Sequence, residues 1–291
     1  ISSELGNVSP AIVVPGPWTA EDLAYHAESL AAMLTNNAGF NCNATRVIVQ
    51  HAGWDQRQAL LDALRRTLAR VPARAAYYPG AAERHAKFVA AHPEAESFGD
   101  AGAGELPWTL VPGVDPAAED DVCFRTEAFC SVFAETALAA ATVPEFLERA
   151  VEFANERLWG TLSATLLVHP ASLREAEVAA AVDRAIAGLR YGSVAVNNWA
   201  ALAYGLVVTP WGAFPGHDVY DIQSGSGVVH NTLMFSRVQK TVVRSPFRIR
   251  PKPLWFPTHR TALEIGRKLT RFEASPSPSK LPGILWEAVR G

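Results

Sequence analysis

The chain has 291 residues, of which 49% are apolar and 19% charged. This apolar share can fill a sizeable core and excludes an intrinsically disordered chain, and 20 Gly and 20 Pro exclude a collagen-like composition. The net charge of -3 provides no global field for nucleic acid, and three cysteines are too few for a disulfide scaffold. We therefore expect a protein of a reducing compartment, the cytoplasm, that does not bind nucleic acid.

No apolar run in the chain reaches the ~18 residues that a membrane-spanning helix needs, so we predict no transmembrane segment. The two ends of the chain differ from the rest in sequence. The chain opens Ile1-Ser2-Ser3-Glu4, without an initiator Met or a basic segment, so we expect no signal peptide and a piece of a longer protein. Residues 236–291 hold 12 Lys/Arg and 3 Asp/Glu, whereas the rest holds 14 and 26. Because prolines and aromatic residues interleave there, we predict an extended basic arm that docks on an acidic surface of its own body or of another subunit.

Short apolar runs alternate with amphipathic helices up to residue 198. The predicted strands cover residues 11–14, 46–50, 108–111, 132–138, 161–168 and 193–197. The predicted helices cover residues 19–34, 56–71, 81–91, 143–158 and 173–189, and residues 94–105 are assigned to a loop. This alternation predicts an α/β fold with three αβα layers and a mostly parallel sheet.

The same pattern sets the expected domain boundaries. Residues 1–198 form the three-layer domain, residues 199–235 a Gly- and aromatic-rich loop segment, and residues 236–291 the basic extended C-terminal tail. One further helix is possible over residues 258–271, followed by a linker-like stretch over residues 274–283.

Cys42 is the most informative of the three thiols. It lies in an Asn-rich loop between a predicted helix and a predicted strand. Donors in such a loop could hold a thiolate, or the oxyanion that forms when sulfur adds to a carbonyl. A buried structural cysteine is an equally good interpretation of the local sequence. Cys123 and Cys130 have no zinc spacing, and the eight histidines do not cluster, so we predict packing thiols and no metal site.

Two glutamates are candidates for a catalytic or binding role near the Cys42 thiol. Glu4, just before a buried strand, could be a general base if it is partly desolvated, or an ordinary solvated side chain. Glu127 lies between two aromatic residues and could bind sugar hydroxyls or pair with Arg125. No Gly-x-Gly-x-x-Gly fingerprint opens a βα unit, so we predict no dinucleotide-binding domain within this chain.

Six segments, in order, resemble motifs of the aldehyde dehydrogenase superfamily. They are Glu4-Leu5-Gly6-Asn7, Asn37-Ala38-Gly39-Phe40-Asn41-Cys42, Glu127-Ala128-Phe129-Cys130-Ser131-Val132, Leu158-Trp159-Gly160-Thr161-Leu162-Ser163, Gly192-Ser193-Val194-Ala195-Val196-Asn197, and the pair Pro210-Trp211-Gly212-Ala213 with Ser224-Gly225-Ser226-Gly227. The resemblance covers residues 1 to about 231 and matches the C-terminal, catalytic half of a family member. It implies that the N-terminal dinucleotide-binding half is absent from this chain and that residues 199–235 return toward it.

The resemblance also implies a mechanism. Cys42 would attack an aldehyde to give a thiohemiacetal, hydride would pass to NAD or NADP, and Glu4 would activate the water that hydrolyses the resulting thioester. Glu127 would bind the nicotinamide ribose with Phe129 beside it, and Leu5 would touch the nicotinamide end through its backbone. The fragment alone would be inactive, and its partners would be an aldehyde substrate, the missing N-terminal half and further copies in a homo-oligomer.

Departures from the family pattern leave alternatives open. Gly-Gln of the nucleophile loop becomes Gly39-Phe40, and Glu127-Ala128-Phe129-Cys130-Ser131 lacks the Gly and Pro of that turn. An acylating, coenzyme A-dependent enzyme, a degenerate member that serves as an assembly subunit, and a thiol-dependent esterase remain alternatives. Retention of Glu4 favours hydrolysis over acylation.

Overall fold

An eight-stranded sheet forms the centre of the chain, whose computed structural model describes residues 3–291. The strands, in chain order, are β1 (Ser3–Glu4), β2 (Ser9–Val13), β3 (Thr45–His51), β4 (Arg74–Ala75), β5 (Glu96–Phe98), β6 (Glu105–Leu106), β7 (Trp108–Val114), β8 (Val132–Leu138), β9 (Ser163–Leu167), β10 (Ser193–Val196), β11 (Trp211–Gly212), β12 (Gly225–Ser226), β13 (Val228–Val229) and β14 (Thr241–Arg244).

Nine α-helices occur in this described part of the chain. They are α1 (Ala20–Thr35), α2 (Arg57–Leu68), α3 (Ala81–Ala91), α4 (Val122–Arg125), α5 (Val143–Glu156), α6 (Ala176–Gly188), α7 (Ala201–Gly205), α8 (Ala262–Ala274) and α9 (Leu281–Val289). Within residues 3–291, no helix is both long enough and apolar enough to cross a membrane.

The central sheet has the order β14-β10-β9-β2-β3-β8-β7-β5. All neighbouring strands run parallel except β5, which is antiparallel to β7. The predicted mostly parallel α/β fold is therefore confirmed. The assignment of residues 94–105 to a loop was wrong, because β5 lies within that stretch and β6 begins at its last residue. These strands are two and three residues long, too short for an apolar alternation to reveal them.

Alternate residues of the strands build separate cores on the two faces of the sheet. Ile12 and Val47 face a core shared with α3, α5 and α6, whereas Ala11 and Ile48 face a core shared with α1 and α2. All four side chains are fully buried. Because strand residues alternate between faces, a strand covered on both sides must be apolar throughout, which explains the continuous apolar runs in the sequence.

The C-terminal tail is less extended than its prolines suggest. Its first strand, β14, extends the central sheet by pairing in parallel with β10, and α8 and α9 form a pair of helices. Within this basic tail over residues 236–291, α8 overlaps the helix expected over residues 258–271. The prolines at 246, 251, 253 and 257 confine the irregular part to the stretch between β14 and α8, because proline is excluded from helix interiors.

That irregular stretch docks on α1 of the same chain. Arg248 pairs with Glu21 and Asp22, and Arg250 also pairs with Glu21. Beside these ion pairs Phe247 is buried, with its ring 4.2 Å from the His26 imidazole. The ion pairs of Glu21 are solvent-exposed and contribute little, so burial of Phe247 supplies most of the stabilisation.

His26 should make the stability of the folded chain sensitive to acid. It is 1% exposed, and neither ring nitrogen has a hydrogen-bond partner. Burial lowers the pKa of His26 from 6.5 to about 3, with Asp22 opposing the shift and Arg248 and His169 adding to it. Between those pH values the unfolded chain binds a proton that the folded chain does not, so stability falls as pH decreases from 6.5 toward 3.

Replacement of His26 tests this interpretation directly. Urea unfolding at pH 7 and pH 5 should show a smaller loss of stability in His26→Leu than in the unsubstituted chain. At pH 7 the ring is neutral in both states, so the pH 7 measurement isolates any packing effect of the substitution. Equal losses in the two proteins would assign the acid sensitivity to other groups.

Candidate active site

Three of the sequence-predicted residues precede adjacent strands of the sheet. Glu4 comes before β2, Cys42 before β3 and Glu127 before β8, and these strands are neighbours in the order β2-β3-β8. Parallel strands place their amino ends at one edge of the sheet, so the three loops meet there. The edge at which the carboxyl ends lie, where open α/β sheets usually bind ligands, is the opposite one.

The loop that carries Cys42 has an unusual backbone. Asn37, Ala38 and Gly39 have φ values of 51°, 56° and 83°, all in the left-handed region. Gly39 is required there, since a Cβ atom would lie 2.4 Å from the carbonyl oxygen of Cys130. The Asn37 side chain donates to the Asn41 side chain at 3.2 Å and to the Phe40 carbonyl. These asparagine amides therefore close the loop upon itself.

Arg46 joins this loop to the segment before β8. Its guanidinium donates to the carbonyl oxygens of Gly39 at 2.6 Å, Cys130 at 2.7 Å and Val132 at 3.2 Å. Arg46 is 2% exposed, so these bonds form away from water. Hydrogen bonds from a charged donor in such surroundings contribute more than neutral ones. Arg46 thus ties the loop that carries Cys42 to the segment that follows Glu127.

Residues distant in sequence hold Glu4. The Trp211 indole donates to Glu4 Oε1 at 3.1 Å, and β1 pairs with β12 so that Glu4 lies opposite Gly225. Ser224 adds two contacts: its carbonyl accepts from the N–H of Leu5, and its hydroxyl donates to the carbonyl of Gly6. The Pro-Trp-Gly and Ser-Gly-Ser-Gly segments, which lie more than 200 residues further along the chain, therefore fix the orientation of Glu4.

Glu127 projects its carboxylate onto Gly6. A Cβ atom at Gly6 would lie 2.0 Å from Glu127 Oε2, so only glycine allows this approach. The turn that follows is held by Arg84, which donates to the carbonyls of Ala128 and Phe129 at 3.1 and 3.0 Å. Phe129 has a φ of 41°, a left-handed conformation that is costly for a residue with a side chain.

The electrostatics of the site keep the Cys42 thiol protonated. Burial, followed by the charge of Glu4 and its hydrogen bond to the thiol, and then the charge of Glu127, raises the pKa of Cys42 to about 12. Burial also raises the pKa of Glu127 to about 7, against the opposing effect of Arg46 and Arg84. The described chain thus has a neutral thiol beside two carboxyl groups, of which Glu127 exchanges protons near neutral pH.

The structure brings the predicted residues together to different degrees. Glu4, Cys42 and Glu127 act on one another electrostatically, whereas Phe129 lies in an aromatic cluster, with its ring 4.8 Å from that of Tyr78. Leu5 is 42% exposed beside Glu4. Their roles in catalysis and cofactor binding remain predictions.

Arg46 and Arg84 are the functional residues that sequence reasoning missed. Arg46 lies directly before the buried apolar run Val47-Ile48-Val49 of β3, and a charge at such a position was the available signal. Arg84 lies on the polar side of α3, where an arginine is ordinary and carries no signal.

Neutralising Glu4 should activate Cys42. In Glu4→Gln the carboxylate that raises the pKa of the thiol is lost, so the thiolate fraction should rise roughly tenfold for each unit by which that pKa falls. Iodoacetamide labelling at pH 8, followed by mass spectrometry, measures the rate at each cysteine. Cys123 and Cys130 are internal controls and should react slowly in both proteins, because both are buried. An unchanged Cys42 rate would assign its raised pKa to burial alone.

Removal of the Arg46 guanidinium should destabilise the chain. Arg46→Met leaves three buried carbonyl groups without their donor, at a cost of about 3 kcal/mol or more in the free energy of unfolding. Urea unfolding measures this cost. Arg66→Met, at an exposed position of α2, is the matched control and should change stability by less than about 0.5 kcal/mol. A loss below about 1 kcal/mol in Arg46→Met would show that the two loops are held by other contacts.

Comparison with known proteins gives matches in structure only. No protein-family model and no curated protein matches the sequence. Among solved structures, the NAD-dependent aldehyde dehydrogenase of Sinorhizobium meliloti is 22% identical, with a TM-score of 0.60 over 79% of this chain. The lactaldehyde dehydrogenase of Escherichia coli is 19% identical, with a TM-score of 0.56 over 79%.

A third similar structure is the NADP-dependent glyceraldehyde-3-phosphate dehydrogenase of Bacillus halodurans. It is 16% identical, with a TM-score of 0.61 over 78% of this chain. The match spans 43%, 45% and 44% of these three proteins, so the chain corresponds to less than half of each. Over 79% of its length, the chain therefore has the fold of the aldehyde dehydrogenases.

Proposed function

We propose that the chain is the catalytic domain of an NAD(P)-dependent aldehyde dehydrogenase, and that it oxidises an aldehyde to a carboxylic acid through a covalent intermediate on Cys42. The observation that carries this proposal is the meeting of Cys42, Glu4 and Glu127 at one edge of a sheet with the aldehyde dehydrogenase fold. A thiol nucleophile beside a carboxylate base is the arrangement that acyl chemistry requires.

Cys42 and Glu4 divide the chemistry of this reaction. The Cys42 thiol loses its proton to solvent and adds to the aldehyde carbon, so the Glu4 carboxylate beside it stays ionised for the later hydrolysis. After oxidation the acyl group remains on Sγ as a thioester. Glu4, oriented by the Trp211 indole, then removes a proton from the attacking water. Retention of a carboxylate at this position favours hydrolysis over transfer to coenzyme A.

The residues present fit a nicotinamide cofactor. Glu127 Oε1 is buried without a hydrogen-bond partner, and a ribose hydroxyl would supply the missing donor. Phe129 lies two residues further along the same turn, and the Leu5 N–H already donates to Ser224, which leaves the Leu5 carbonyl to meet the nicotinamide. When bound, NAD(P)+ would supply the hydride acceptor.

A second candidate function is that of a non-catalytic assembly subunit. The raised pKa of Cys42 favours it, because a thiol with a pKa of about 12 is a weak nucleophile unless its proton is removed during attack. This candidate predicts a folded chain in which Cys42 stays unreactive toward aldehydes even when the dinucleotide-binding half is present.

Pre-steady-state kinetics of the protein that contains both halves separates these functions. With an aldehyde and NAD(P)+, Glu4→Gln should give a burst of one reduced cofactor per Cys42, followed by turnover about 10²- to 10⁴-fold slower than in the unsubstituted protein. Cys42→Ala should abolish both phases, and Cys130→Ala is the matched control that should keep them.

Two other outcomes favour the alternatives. Absence of any aldehyde-dependent reduction across short, long and aromatic aldehydes would overturn the proposal and support the assembly subunit. Recovery of Glu4→Gln turnover on addition of coenzyme A would instead identify the acylating reaction.

A further inference from the structure

Three side chains with metal-binding atoms meet where α3 ends and α4 begins. His92 caps the C-terminus of α3, Asp121 caps the N-terminus of α4, and Cys123 lies in the first turn of α4. One nitrogen, one oxygen and one sulfur atom of these residues lie within 4.8 Å of one another. None of the three takes part in the proposed reaction.

The cluster is enclosed and its imidazole is held in place. His92 is 7% exposed and Cys123 is 3% exposed, while the Asp121 side chain is 13% exposed. Glu94 Oε1 lies 2.8 Å from His92 Nδ1, which turns Nε2 toward Asp121 and Cys123. A histidine that binds a metal usually donates the N–H of its other ring nitrogen to a carboxylate or a carbonyl group.

The hydrogen-bonding capacity of His92 points to a missing cation. Its Nδ1 faces Glu94 at 2.8 Å and its Nε2 faces Asp121 at 3.2 Å, yet a neutral imidazole has a single N–H to donate. Among the described residues, His92 is the one ion-pair partner of both carboxylates. A divalent cation bound by Nε2, Asp121 and Cys123 resolves this conflict, because Nε2 then supplies its lone pair to the metal.

We propose that His92, Asp121 and Cys123 bind a zinc ion through Nε2, a carboxylate oxygen and Sγ, with water as a fourth ligand. Imidazole, carboxylate and thiolate are all ligands that Zn²⁺ accepts in tetrahedral sites. On binding, the Cys123 thiol releases its proton to solvent and Sγ bonds to the metal. The ion joins the end of α3 to α4, directly before the segment that carries Glu127.

Cobalt substitution tests the site with a spectroscopic readout. The chain is stripped with a chelator and titrated with Co²⁺, and a sulfur-to-cobalt charge-transfer band should saturate at one equivalent and disappear when Zn²⁺ is added. Cys123→Ser and His92→Gln should lose the band. Cys130→Ser, which alters another buried thiol seven residues further along the chain, and Cys42→Ser are the controls that should keep it.

One variant keeps the test informative if the ligand replacements fail to fold. Glu94→Gln retains all three ligands, lies at an exposed position and should weaken metal affinity about 10- to 100-fold. Absence of the band in the folded chain would overturn the proposal. A band that survives in folded Cys123→Ser or His92→Gln would overturn it as well.

Discussion

The buried guanidinium of Arg46 is the contact on which the site depends. Removing a charge from water costs several kcal/mol, and that cost is offset only where hydrogen bonds of good geometry satisfy the donors of the charged group. Arg46 uses them on three carbonyl groups from two loops, with Glu127 as the nearby opposite charge. Both loops enter the sheet at its amino edge, so Arg46 links the loop of the thiol to the loop of the carboxylate.

Strained backbone accumulates at this edge and is held by the same kind of contact. Ala38 and Phe129 both adopt left-handed conformations that residues with side chains avoid. Arg46 donates to the carbonyl oxygen of Gly39, next to Ala38, and Arg84 donates to the carbonyl oxygen of Phe129 itself. Strain of this kind persists when surrounding contacts determine the conformation, and it is concentrated at functional sites. Phe129 lies directly before Cys130, and Arg84 donates to its carbonyl oxygen at 3.0 Å.

The comparison between sequence and structure separates what is local from what is not. The α/β architecture followed from the alternation of apolar runs and amphipathic helices, because burial on both faces leaves a continuous apolar pattern in each strand. The expectation that Cys42, Glu4 and Glu127 act together came from the family resemblance, because the order of the strands that they precede is not a local pattern.

Other features depend on contacts between residues that are distant in the sequence. His92 and Asp121 lie 29 residues apart, and Trp211 reaches Glu4 from the other end of the chain. Helix α8 overlaps the helix expected from the sequence over residues 258–271, whereas α9 was obscured by the prolines around it. No local pattern encodes which charged side chain bonds which carbonyl, so the roles of Arg46 and Arg84 emerge only in three dimensions.

The pairing of β14 with β10 affects when the edge of β10 becomes paired as the chain folds. Strand β2, near the start of the sequence, lies inside the sheet, whereas an outer position is filled by residues 241–244. During synthesis on the ribosome, β10 therefore presents open backbone N–H and C=O groups until residues 241–244 emerge. Exposed parallel edges recruit other chains. Pairing with β14 satisfies these groups of β10 and closes this side of the strand to such pairing.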